Sequence, residues 1–206
     1  MSERYHHGAL REALLDAAQT ILERDGIAAL TLRAAAREAG VSHAAPNHHF
    51  GSLAGLVSEL AARGFEQLRA QIVRASGENS GGRGHVAALA AGYIGFARSA
   101  PGLFRLMFRA EQLDWSRPAL AQAGAAAFAL LIPLGPDGEP VAIPLTPAQL
   151  GTAMAQWSML HGMASLLIDG RLEAVAAELA PSVEGSTLQA EILRHMPEGE
   201  RVVPLA

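Results

Sequence analysis

The chain has 206 residues, of which 50% are hydrophobic and 17% charged, and carries a formal net charge of −4. That balance fits a globular chain of one large domain or two small ones and excludes bulk disorder. All 16 strong bases are Arg, Lys and Cys are absent, and five of the eight His lie in the first 50 residues (His6, His7, His43, His48, His49). Without Cys there is no disulfide, thiolate metal site or Cys nucleophile, which is compatible with a reducing cytoplasm. The opening Met1–His7 is too polar for a signal-peptide core. Later apolar stretches are interrupted by Gln122, Pro133, Gln156 and His161 before spanning length, so a cytoplasmic protein with no membrane segment is expected.

In chain order, apolar residues recur from Leu10 through Ala13, Leu14, Ala17, Ala18, Ile21 and Leu22, which predicts a helix ended by Gly26 as a left-handed cap. Thr31 is read as the N-cap of a short second helix whose inward face is Leu32, Ala35, Ala36 and Ala39, and Gly40 ends it. Ser42 is read as the cap of a third helix running from His43 to about His49 and closed by Phe50-Gly51. A fourth spans Leu53 to about Ala75. The Gly- and Ser-rich run Ser76–Gly84 reads as a loop or hinge.

Beyond that run, helices are expected over Val86–Ser99, from Pro101 with Leu103, Phe104, Met107 and Phe108, and over Pro118–Ile132. Five Pro between 133 and 147, with the turn signal Asp137-Gly138, predict a long loop or a β-hairpin. Thr146 and Pro147 open the next helix, to about Ile168, whose Leu150, Met154, Trp157, Leu160, Met163, Ala164 and Leu167 predict burial all round. Two shorter helices, Leu172–Leu179 and Ser186–His195, precede a disordered-looking tail. No alternating strand pattern survives outside the Pro-rich stretch, so the fold expected is all-α.

Two short helices joined by Ala39-Gly40-Val41-Ser42 have helix-turn-helix spacing, which a plain helical hairpin shares. The string LTLRAAAREAGVSHAAPNHHFGSLAGL (Leu30 to Leu56), after an amphipathic helix beginning YHHGALREALLDAA, resembles the DNA-binding domain of the tetracycline-repressor (TetR) family of bacterial regulators. A weaker resemblance is QWSMLHGMASLLIDG (Gln156 to Gly170), similar to the Trp-x-x-x-His-Gly element of one TetR subgroup. The resemblance implies a homodimer whose recognition helices enter successive major grooves of double-stranded operator DNA. It also implies a helical C-terminal domain that binds a small effector and releases the DNA. The domains expected are 1–52, a three-helix DNA-binding domain, and 53–206, an effector-binding and dimerisation domain with 53–75 as connecting helix.

On the recognition helix, Ser42 could cap the Ala44 and Ala45 donors, Ala44 and Ala45 could approach the groove floor, and Asn47 could pair with adenine N6 and N7. Arg33, His43 and His48 are candidates for phosphate or base edges, and His49 and Thr31 complete the expected contact set. Two positions depart from the family pattern: Asn47 stands where Tyr is usual and Leu53 where Lys is usual, each a positioning contact to phosphate. Weak or salt-sensitive operator affinity, or compensation elsewhere, is expected. A dimeric helical ligand-binding or interaction protein that has lost DNA recognition is the alternative.

Residues 1–75 hold eight Arg against eight acids, whereas DNA-binding domains are usually basic. Any positive field must come from which face the Arg occupy and from His protonation, so affinity is expected to rise between about pH 7.5 and 6. His43, His48 and His49 lack a carboxylate or Cys at ligand spacing, so no metal is expected, and no cofactor motif is present. Ser158, His161 and Asp169 do not form a triad at helical spacing, and no enzyme is expected. His161 is read either as a buried His with Gly162 allowing close packing, or as the polar anchor of an apolar effector pocket walled by Phe96, Phe104, Met107, Phe108 and Trp157. These wall residues serve equally well as plain core.

Overall fold

The computed structural model describes residues 2–76, 83–132 and 143–195. Among them are ten α-helices and no strand: α1 Ser2–Asp25, α2 Leu32–Glu38, α3 Ala45–Phe50, α4 Leu53–Ser76, α5 Arg83–Ser99, α6 Pro101–Met107, α7 Pro118–Phe128, α8 Pro147–Ile168, α9 Arg171–Leu179 and α10 Gly185–Arg194. Residues 77–82 of the expected hinge, 133–142 of the Pro-rich segment with its hairpin option, and the tail from 196 lie outside the described residues. The residues group into two compact units. The first is Met1–Gln67 with Ala100–Ala125, and the second is Leu68–Ser99 with Ala126–Ala206.

In the first unit the heptad-like stripe of α1 buries Leu14, Leu15, Ala18, Ile21 and Leu22 together with Ala35 and Ala36 of α2, Phe50 of α3, and Leu56 and Leu60 of α4. The small residues of α2 allow close approach, and Leu32 and Ala39 are only half-buried. Gly26 ends α1 at φ +80°, ψ 174°, which is extended in ψ and not the left-handed helical cap expected. The chain leaves α1 stretched toward a short 3-10 turn at Ile27–Ala29. That geometry is open to glycine alone.

Gly55 marks the tightest backbone approach: a Cβ there would lie 2.0 Å from the Phe50 carbonyl oxygen. The end of α3 therefore rests directly on the first turn of α4, where the Ser52 hydroxyl accepts the Gly55 N–H at 3.0 Å. Further along α4, a Cβ at Gly64 would meet the Met107 sulfur of α6 at 2.6 Å. Phe65 meets Phe108 edge-on with ring centroids 5.8 Å apart, and Phe108 meets Phe104 at 5.2 Å.

In the second unit α5 packs on α8 and on the end of α4, where a Cβ at Gly92 would lie 2.4 Å from Ile72 Cα. Helix α8 begins with a complete capping box: Gln149 N–H donates to Thr146 Oγ1 at 3.3 Å and Thr146 N–H to Gln149 Oε1 at 2.9 Å. Two expectations for α8 fail. Leu150, Met154 and Leu166 are 45%, 37% and 43% exposed, so the helix is not buried all round within one chain. A Cβ at Gly162 would meet nothing within 4 Å, so that glycine serves no close packing here. Helix α7 also stops at Phe128, and its expected last turn is a 3-10 turn over Ala129–Leu131.

Gly55→Ala forces a methyl group into a backbone carbonyl that cannot rotate away, and is expected to lower the unfolding free energy by about 3 kcal/mol, the upper end for overpacking. Urea unfolding of the variant beside the parent protein measures this; a parent-like unfolding free energy would contradict the close approach at Gly55.

Candidate functional site

The helix-turn-helix is built by local chemistry. Thr31 Oγ1 accepts the Ala34 N–H at 3.0 Å and starts α2 as expected. Gly40 turns the chain at φ +67°, with its N–H on the Arg37 carbonyl at 3.1 Å and the Val41 N–H on the Ala36 carbonyl at 3.0 Å. Ser42 behaves otherwise than expected. Its hydroxyl accepts only the Ala44 N–H, at 3.3 Å, and α3 begins at Ala45 with no side-chain cap. Proline explains the difference: Pro46 has no N–H to give the Ser42 carbonyl, and the Ala45 N–H takes that carbonyl at 3.0 Å as a tight turn. The helix therefore starts later than His43.

Pro46 and Phe50 are the buried side of α3, and His43, Ala44, Asn47 and His48 are exposed. Ala45 and His49 are half-buried, and the rings of His48 and His49 sit edge to face with centroids 5.4 Å apart. Thr31, Arg33 and Ser42 are exposed as well, so the structure gathers the sequence-derived DNA-contact residues on α2, the turn and α3. Leu53, at the start of α4, is 40% exposed.

Ion pairing resolves the neutral charge count. Arg11 pairs with Glu12 and with Glu59, the latter at 2.5 Å, and Arg63 bridges Glu12 and Asp16, each at 2.5 Å. Arg117 adds a 3.4 Å contact to Glu59. Arg24 holds Glu38 and Asp25, and its side-chain hydrogen bonds keep both carboxyls below the ordinary carboxylate range. Five acids of this unit are thus engaged by Arg. Arg33 and Arg37, four residues apart on one face of α2, are exposed and form no ion pair among the described residues.

The expected effector residues fall into two groups. Phe104, Met107 and Phe108 belong to the first unit, where they pack with Phe65 and Trp115; Phe104 and Met107 are 1% and 0% exposed. Phe96, Trp157 and His161 belong to the second unit. There the Trp157 indole N–H donates to the Tyr93 hydroxyl at 3.2 Å, and that hydroxyl bonds His161 Nδ1 at 3.1 Å. The Trp157 and His161 rings are 5.9 Å apart, and Phe128 meets Trp157 edge-on at 6.3 Å. Phe96 is buried in α5. Tyr93 and Phe128 were missed from the sequence. Tyr93 stands in an Ala- and Gly-rich helix with nothing local to mark it, and its partners lie more than 60 residues away. Among the described residues no three His, Asp or Glu side chains are grouped to hold a metal ion, and no helix is long and apolar enough to cross a membrane.

Comparison with known proteins adds a second line of evidence. Residues 14–60 match the family model for bacterial regulatory proteins of the tetR family, and residues 86–187 match the tetracyclin repressor-like C-terminal domain. No curated protein matches the sequence. Among solved structures, the chain is similar to a protein with unknown function from Rhodococcus sp. RHA1 at 30% identity, over 95% of this chain and 99% of that one, with a TM-score of 0.66. A TetR-family transcriptional regulator from Streptomyces coelicolor shares 21% identity over 90% of this chain and 95% of its own, with a TM-score of 0.56. The multidrug binding protein EbrR complexed with imidazole shares 21% over 91% and 89%, with a TM-score of 0.54. The last two show a shared fold. With both family models matched in order along an all-α chain, one of them on the helix-turn-helix just described, the protein belongs to the TetR family of transcriptional regulators, carries a DNA-binding N-terminal domain and is not an enzyme.

Proposed function

We propose that the protein is a cytoplasmic homodimeric repressor whose residues 1–52 hold operator DNA and whose residues 53–206 bind a small apolar or aromatic effector that releases it, with 53–75 as the connecting helix. The observation that carries the DNA reading is the exposed set on α2 and α3: Arg33 and Arg37, which form no ion pair among the described residues, with His43, Ala44, Asn47 and His48 beside the Gly40 turn. The neighbouring Glu38 is held by the Arg24 fork. In this reading Asn47 reads a base edge, and His48, His43, Arg33 and the hydroxyls of Thr31 and Ser42 fix orientation on phosphates.

Dimerisation follows from the apolar surface of α8 and α9. Leu150, Met154 and Leu166 of α8 and Val175 and Leu179 of α9 are all exposed, the last at 78%. Scattered apolar residues are ordinary on a surface; this many on two successive helices calls for a partner. A second copy supplies it and places two recognition helices on two half-sites.

The effector reading rests on Trp157 and His161 with Tyr93 behind them. Burial holds the His161 imidazole below its ordinary value of 6.5 and pushes the Tyr93 phenol above its ordinary 10.0. With the indole donating to the hydroxyl, the phenol proton is available to His161 Nδ1, which suits a neutral ring. An apolar wall carrying one oriented neutral imidazole is the usual composition of a small-molecule site. Phe96, Phe104, Met107 and Phe108 then act from the core behind their respective surfaces.

Five outcomes are expected. In fluorescence anisotropy with DNA flanking the protein's own coding region, Asn47→Ala should weaken binding about tenfold, within the range for losing one bidentate base contact. Leu53→Lys should tighten binding and steepen the salt slope by about 0.9 per added phosphate contact; no binding by the parent protein under low salt would favour the reading in which DNA recognition is lost. Light scattering should give a dimer for the parent and a monomer for Met154→Glu with Leu166→Arg. Tyr93→Phe, which leaves the indole N–H without its acceptor, should cost about 1–3 kcal/mol in urea unfolding. For His161 the folded-state value is depressed, so its neutral form contributes stability fully present above about pH 6.5 and lost as pH falls through the folded value. His161→Gln should therefore show a shallower fall in Tm between pH 7.5 and 5.5 than the parent, and equal slopes would contradict a buried neutral ring.

A further inference from the structure

The last turn of α1 carries two contacts that its own helix does not need. Glu23 directs both carboxylate oxygens at α6: Oε2 accepts the Gly102 N–H and Oε1 the Leu103 N–H, each at 2.8 Å. First-turn N–H groups have no partner within their own helix, and an ionised acceptor makes these bonds stronger than neutral ones. The next residue, Arg24, directs Nη1 and Nη2 at the two oxygens of Glu38 at the end of α2, each at 3.1 Å. A planar guanidinium in such a fork fixes direction as well as distance.

Gly102 permits the first contact, because a Cβ there would lie 2.9 Å from the Leu22 carbonyl oxygen and 3.0 Å from Glu23 Oε2. Helix α6 thus abuts the backbone of α1 one turn before Gly26, where the chain leaves toward the helix-turn-helix. Among the described residues, none of the Glu23 hydrogen bonds reaches α2, and none of the Arg24 hydrogen bonds reaches α6. The turn of helix that carries both residues joins the two forks. That turn is closed by the Gly26 N–H on the Leu22 carbonyl at 3.1 Å.

We propose that Glu23 and Arg24 are positioning residues for DNA binding, forming a relay in which the placement of α6 sets the placement of α2. The proposal rests on the DNA-binding reading given above. Glu23 and Arg24 are exposed, and exposed pairs add little to stability. Their removal therefore acts on the geometry of the helix-turn-helix more than on the fold. Loss of the Glu23 fork frees α6 from α1, the last turn of α1 loses one of its two anchors, and α2 is held less firmly in the orientation that binds DNA. Affinity falls because the interface is no longer organised in advance.

The test uses the full-length protein and DNA flanking its own coding region, in a double-mutant cycle of Glu23→Ala and Glu38→Ala read by anisotropy. Each single change is expected to weaken binding about tenfold, and the double change no more than the larger single one, because both cut the same chain. Independent losses that multiply to about a hundredfold would overturn the relay. Amide exchange gives the second readout: Glu23→Ala should raise exchange at Gly102 and Leu103, which it contacts, and also in α2 at Ala35–Glu38, which it does not hydrogen-bond. Unchanged exchange in α2 would overturn the relay with DNA binding intact, whereas a parent protein that binds no DNA overturns the DNA-binding reading and the relay's output with it. Glu23→Gln, which keeps one acceptor oxygen, guards against a fold failure in the alanine variant. It should give an intermediate loss of affinity with a Tm within a few degrees of the parent; parent-like affinity in both Glu23→Gln and Glu23→Ala would overturn the proposal.

Discussion

A helix of two turns does not hold its shape alone in water; isolated helices below about 12–15 residues are marginal even with favourable sequences. Helices α2, α3 and α6 have seven, six and seven residues, and they include the ones expected to touch DNA. Each depends on the 24-residue helices α1 and α4. The dependence is local and specific: α3 rests its last carbonyl on Gly55, α2 is tied to α1 by the Arg24–Glu38 fork, and α6 hangs its first turn on Glu23. Removing a single atom's clearance or a single carboxylate therefore has consequences that the length of these helices alone would not suggest.

The same ties show how a segment with no net charge divides its cations. Arg11, Arg24, Arg63 and Arg117 are spent within the protein on Glu12, Asp16, Asp25, Glu38 and Glu59. The Arg33 and Arg37 guanidiniums stand exposed on α2. Composition counts charges without regard to who holds them. An Arg-only inventory suits this division, because forked guanidiniums make directional internal ties.

Signals carried within four residues were legible from the sequence: the Thr31 cap, the Thr146–Gln149 opening of α8, Pro101 in the first turn of α6, and the extent of α4. Where the reading went astray, a competing local effect intervened. Proline at position 46 moved the start of α3 past Ser42, and the extended ψ at Gly26 follows from the 3-10 turn after it. Helix α8 is apolar on nearly every side, yet hydropathy does not say which of those side chains the fold covers, and Leu150, Met154 and Leu166 stay exposed. The Glu23 fork and the Tyr93–Trp157–His161 cluster join residues 64 to 80 positions apart, and nothing in their immediate neighbours marks them. The six expected effector residues separated into two groups for the same reason: spacing along helices predicts which side chains face inward, but not which core receives them.

In the proposed reading a short recognition helix is useful only if it is held in place and doubled by a partner copy. The most direct measurement is selection of genomic DNA fragments by the full-length protein, followed by footprinting of the enriched sequence. An inverted repeat whose half-sites lie about one helical turn, or a multiple of it, apart is expected from two-fold pairing of recognition helices. Enrichment of no sequence above non-specific background, or of a site without two-fold symmetry, would contradict it.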